Sequence, residues 1–136
     1  MRNTKIVLII VLWAALLGTV AYVRLTQDDS GPKDYVVRMT NDMTFDPHTL
    51  TIRPGDTVTW KNVSKELVHS VTTDANKVRN PNLVLLPVGA EAWDSGLLQP
   101  GESWSYTFQI PGTYHYVCVP HELVGMVGEI IVNNDE

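Results

Sequence analysis

The stretch Tyr114-His115-Tyr116-Val117-Cys118-Val119-Pro120-His121-Glu122-Leu123-Val124-Gly125-Met126-Val127-Gly128 decides how the rest of the chain is read. Three donor side chains, Cys118, His121 and Met126, fall within nine residues. Ahead of them Tyr114, Tyr116 and Cys118 alternate with His115 and Val117, so a strand there carries the first set on one face. Behind them Val127-Gly128-Glu129-Ile130-Ile131-Val132 predicts a returning strand. A strand ending in cysteine, a short loop bearing histidine and a return strand led by methionine close three donors around one ion. Thiolate and thioether are soft and imidazole is intermediate, a set suited to copper moving between Cu(I) and Cu(II). A further imidazole has to come from elsewhere, and His69, in Leu67-Val68-His69-Ser70-Val71, is the candidate.

Working outward, three Pro-Gly pairs punctuate the sequence at Pro54-Gly55, Pro100-Gly101 and Pro111-Gly112. Each fits the centre of a type II turn, whose second position needs a positive φ. Each precedes an alternating run: Val58 and Trp60 among threonines, then Trp104, Tyr106 and Phe108, then the tyrosines that lead to Cys118. Tyr35, Val37 and Met39 predict a first strand with one buried face. Short alternating strands between regular turns predict an all-β, antiparallel sandwich or barrel. His48 falls in a turn between two early strands, and His115 lies on the face opposite Cys118, so both are read as surface histidines. Residues 73–91 do not resolve. Their apolar part, Leu83 to Val88, suits an edge strand, a short buried crossover or a flap over the donor end.

The Cys-x2-His-x4-Met spacing resembles that of the cupredoxins, the blue-copper family, in its plastocyanin-like and pseudoazurin-like members. Phe45-Asp46-Pro47, the run from Leu50 to Trp60, Asn62 and His69-Ser70-Val71 extend the likeness over roughly residues 35–133. The resemblance implies a Greek-key β-sandwich and one type 1 copper ion. The ligands would be His69, Cys118 as thiolate, His121, and Met126 as a weak axial donor, with Gly125 and Gly128 permitting its close approach. Pro120 stiffens the turn between Cys118 and His121 and removes a competing N–H. Ser70 stands where plastocyanins commonly have an asparagine tying two ligand loops together, so the shorter side chain predicts a weaker tie. The resemblance also implies that electrons pass through the loop histidine to a redox protein partner docked on an apolar patch. Leu67, Leu123 and Val124 would supply that patch, with Val68 beside them and Glu122 interrupting it. Val117 occupies the position where plant-type plastocyanins carry a tyrosine, so a second exit route there is not implied.

Size and charge narrow the rest. With 136 residues and four histidines, the chain lacks the domains and ligands of a multicopper enzyme, and one cysteine excludes a binuclear copper centre. The reading is therefore a non-enzymatic electron carrier without a small-molecule substrate. Copper storage or delivery by the same donors, and an interaction module without metal, are the alternatives. Residues 25–136 hold seven Lys or Arg against fifteen Asp or Glu. That excess of negative charge argues against nucleic acid. It either keeps the domain soluble or suits a partner with a basic docking surface. Ile6 to Val23 is an uncharged run flanked by Arg2, Lys5 and Arg24. It is near the ~20 residues that cross a bilayer and longer than a usual signal-peptide core. Residues 1–24 are read as a signal anchor, 25–34 as a linker and 35–136 as the copper domain on the periplasmic or extracellular side. Cleavage of the leader, giving a soluble exported domain, is the alternative.

Overall fold

The computed structural model describes residues 31–134. The expected anchor over 1–24 and most of the linker lie outside the described residues. No helix among the described residues is long and apolar enough to cross a membrane.

Seven strands follow in order: β1 (Asp34–Met39), β2 (Phe45–Asp46), β3 (Thr49–Ile52), β4 (Thr57–Asn62), β5 (Ser103–Thr107), β6 (Gly112–Val117) and β7 (Val127–Val132). They form two sheets, ordered β2-β1-β4-β5 and β3-β7-β6. The all-β expectation holds; helix among the described residues is limited to 3-10 turns at Pro81–Leu83 and Val119–Val124. The expectation of antiparallel pairing does not hold throughout. β1 runs parallel to β4, and β3 parallel to β7, so both sheets are mixed. Alternation fixes which face a side chain takes, not which way its strand runs. The reversal arises because β2 and β3, only two residues apart, belong to different sheets.

Inward positions alternate as the sequence predicts. Val37 and Met39 of β1, Val58, Trp60 and Asn62 of β4, Tyr114 and Tyr116 of β6 and Ile130 and Val132 of β7 are buried. The sheets meet through aromatic rings. Trp60 lies 5.3 Å from Tyr116 and 5.4 Å from Trp93, and Phe45 meets Tyr116 edge-on at 4.8 Å. Each such pair adds about 0.5–1.5 kcal/mol beyond the area it buries. Gly55, Gly101 and Gly112 all have the positive φ expected of their turns.

Segment 73–91 comes closest to the edge-strand alternative. Leu85 exchanges both backbone hydrogen bonds with His115 at 3.1 Å, adding one residue to the free edge of β6. The chain enters the domain beside the start of β4, where the Lys33 amide donates to Asp56 Oδ1 at 2.7 Å. Cys118 follows the far end of β6, at the end of the domain where β4 finishes.

Gly128 faces Tyr116 across the β6–β7 pair. A Cβ there would sit 2.4–2.7 Å from the ring's far end, which Phe45, Trp60 and Trp93 keep from moving aside. Its expected role in admitting Met126 is therefore corrected: the space it leaves is filled by Tyr116. Gly128→Ala should destabilise the domain by about 1–3 kcal/mol in guanidinium unfolding. A change within error would contradict this packing.

Candidate metal centre

The centre is assembled by pairing at the end of β6. Thr72 and Val117 exchange two backbone hydrogen bonds of 3.0 Å, which lays the 69–72 segment beside the end of the strand. His69 is fixed on its other side by Leu98, through bonds of 3.1 and 2.7 Å. Asn62, the last inward residue of β4, is buried beneath this segment. Its Nδ2 donates to the carbonyls of Leu67 at 2.8 Å and Leu98 at 2.9 Å, and its Oδ1 accepts from the Ser64 amide and hydroxyl. In the sequence Asn62 stands out only through the family resemblance. The signal for its role was its register, two residues beyond Trp60 on the inward face.

Three of the four expected ligand residues converge. His69 Nδ1 lies 3.6 Å and His121 Nδ1 3.4 Å from Cys118 Sγ, and the two nitrogens are 3.2 Å apart. His69 and Cys118 are fully buried and His121 is half-buried. The point equidistant from these three atoms lies about 2 Å from each, close to the ~2.0–2.3 Å of metal–imidazole and metal–thiolate bonds. Met126 is buried beside them. Its carbonyl accepts from the Cys118 amide at 3.0 Å and its amide donates to the His121 carbonyl at 3.2 Å.

The donors suit a soft or borderline cation. His69 Nε2 is 3.0 Å from the Thr40 carbonyl, which can only accept, so Nε2 carries the proton and Nδ1 presents a lone pair to the sulfur. Burial, with His121 beside it, lowers the His69 pKa, opposed by the Thr40 carbonyl, and keeps the ring neutral. Burial pushes the Cys118 thiol up, offset in part by the Ser70 and His121 amides and the Ser70 hydroxyl. A metal entering the site has to displace that thiol proton.

Around the donors, two expectations are corrected. Ser70 makes the tie its short side chain was expected to weaken: its Oγ accepts from the Val119 amide at 2.9 Å, and its own amide points at Cys118 Sγ at 3.4 Å. The Thr72–Val117 pairing brings the two segments close enough for a serine to reach. Glu122 does not interrupt the apolar patch. It is 5% exposed and turned inward, while Leu123 and Val124 are 78% and 63% exposed and Leu67 is half-buried. Pro120 lies in the first turn of the Val119–Val124 3-10 segment that carries His121, and Gly125 (φ 82°) ends it. His48 and His115 stay away from the centre; His115 Nε2 pairs with Glu129 at 3.0 Å on the outer face.

Asn62→Ala strips partners from two carbonyls and from Ser64, whereas Ser70→Ala frees one amide. Chemical denaturation of the metal-free domain should show a loss of about 2–4 kcal/mol for the first and about 1 kcal/mol for the second. The reverse order would contradict the frame described.

The sequence profile of the copper binding proteins, plastocyanin/azurin family, matches residues 33–133. A chloroplastic plastocyanin of Tetradesmus obliquus is 38% identical over 94 residues, covering 66% of this chain and 59% of its own length. A plastocyanin of Synechococcus sp. (strain JA-2-3B'a(2-13)) is 35% identical over 128 residues, covering 91% and 90%. The chain thus spans little more than half of the chloroplastic plastocyanins it matches and most of the cyanobacterial one. Among solved structures, a pseudoazurin from Sinorhizobium superposes with a TM-score of 0.57 at 30% identity, covering 75% of each chain. An auracyanin from Roseiflexus castenholzii superposes equally well at 22% identity, over 76% of this chain and 99% of its own, and shows the shared fold. On the extent of the profile match and these identities, the chain belongs to the copper-binding plastocyanin/azurin family of cupredoxins.

Proposed function

We propose that this domain carries single electrons between redox proteins outside the cytoplasm, with one copper ion held by His69, Cys118, His121 and Met126. The observation behind this reading is the buried triangle of His69 Nδ1, His121 Nδ1 and Cys118 Sγ, whose centre is at bonding distance from all three. Bound there, copper supplies a reversible one-electron step between Cu(I) and Cu(II). The chain's part is to keep its donors still. Thr40 holds the His69 ring, Leu98 holds its backbone and is itself held by Asn62, and Ser70 joins the two donor segments. A frame that does not rearrange with charge favours fast transfer and slow release, which supports a shuttle over storage or delivery.

His121 is the donor that reaches the surface, and Leu123 and Val124 beside it, with Leu67 nearby, supply an apolar face for a protein partner. Charge is a lesser guide to docking. Residues 31–134 hold seven Lys or Arg against eleven Asp or Glu, and Asp56 and Glu122 among the acids are buried on backbone amides. Residues 1–24 act in this proposal as a signal anchor and 25–34 as a tether to the copper domain of 35–136.

The metal-free domain should take up one equivalent of Cu(II), turn intensely blue and cycle reversibly by one electron. Cys118→Ser should lose the colour and keep the fold by circular dichroism. A colourless adduct of the parent, or rapid loss of copper to a chelator, would contradict the shuttle. In a membrane extraction at alkaline pH the full chain should stay with the lipid and retain its N-terminal run. A mature chain beginning beyond Ala21 would show that the leader is removed.

A further inference from the structure

Glu122 follows His121 directly in the donor loop, yet its carboxylate is buried and turned away from solvent. Its two oxygens divide their work. Oε2 accepts from the Arg79 amide at 2.9 Å and Oε1 from the Asn80 amide at 2.7 Å. Those amides belong to the 74–83 loop, whose other contacts are local (Asp74 Oδ1 on the Asn76 amide, Asn80 Oδ1 on the Asn82 amide and one 3-10 turn) apart from an ion pair of Lys77 with Asp94 at 2.6 Å. Lys77 ties the loop to the Asp94 segment, and the Glu122 side chain clasps it to the turn that carries His121. Backbone amides satisfy both carboxylate oxygens, and the carboxylate belongs to the residue that directly follows the donor His121.

We infer that Glu122 is a positioning residue of the metal centre: its carboxylate, held by the Arg79 and Asn80 amides, locks the His121 turn in place and biases the site towards the more highly charged state of its metal. The inference rests on the copper reading above. The clasp fixes the direction of the His121 ring through the chain immediately after it. By facing inward, Glu122 also leaves Leu123 and Val124 as the outermost side chains of the turn, so the exposed face is apolar despite an acidic residue in its sequence. A buried negative charge near the site stabilises Cu(II) relative to Cu(I) and lowers the reduction potential. Val88→Ser, by contrast, alters a fully exposed side chain and leaves the clasp intact.

The test uses the soluble domain with and without copper, and Glu122→Gln, which keeps the shape but removes the charge and turns an acceptor into a donor facing an amide. In the metal-free parent, hydrogen exchange at the Arg79 and Asn80 amides should be slow for loop positions. In Glu122→Gln at least one of the two should exchange roughly tenfold faster or more. The copper-loaded variant should remain blue with a reduction potential above the parent's, whereas Val88→Ser should leave the potential unchanged. Unprotected amides in the parent would overturn the clasp whether or not the variant folds. A potential in Glu122→Gln equal to or below the parent's would overturn the electrostatic role. If the parent itself fails to turn blue, the copper reading falls, while amide exchange in the metal-free protein still decides whether Glu122 holds the turn.

Discussion

The two-way backbone pairing of Thr72 with Val117 is the constraint on which the centre depends. His69 and Cys118 are 49 residues apart in sequence, and no local preference brings them together. Once Thr72 lies beside Val117, Ser70 is opposite Cys118 and Val119, and His69 is one residue further along. The serine then closes the gap with one hydrogen bond to Val119 and one amide aimed at the sulfur. Everything else at this end of the domain, from Asn62 beneath to the Val119–Val124 turn above, reinforces a juxtaposition that the strand pairing has already made.

The site is rigid because its donors are held from behind. His69 has its outer nitrogen on Thr40, its backbone on Leu98, and Leu98 in turn on Asn62. Cys118 and Met126 are joined through the backbone, as are Met126 and His121. A metal entering such a frame finds its donor spacing set in advance, so a change in its charge meets little freedom to rearrange. The same logic explains the asymmetry between the imidazoles. His69 is enclosed and serves the site alone, whereas His121 reaches the surface beside Leu123 and Val124.

Much of this was legible in the sequence. Alternation located the inward faces of β1, β4 and β6, the Pro-Gly pairs marked the turns before β4, β5 and β6, and the Cys118, His121 and Met126 spacing named the chemistry. Strand direction was not legible, because a period of two reports faces and nothing about orientation; hence an antiparallel sandwich was expected where the sheets are mixed. The inward turn of Glu122 was hidden for a related reason. A carboxylate beside a loop histidine reads as exposed unless the amides of a loop more than 40 residues away are known to receive it. Ser70 was misjudged on side-chain length, since reach depends on how closely two backbones approach, and that is set by pairing elsewhere. Segment 73–91 carries no period at all, and its one bridge to His115 has no counterpart in its composition.

X-ray absorption at the copper edge, recorded on the loaded domain in both oxidation states, bears most directly on whether His69 and Cys118 share one ion. The account requires two imidazole nitrogens and one short sulfur at about 2.0–2.3 Å, with little change between oxidised and reduced forms. A shell holding a single imidazole, or one that gains or loses a close donor on reduction, would contradict it.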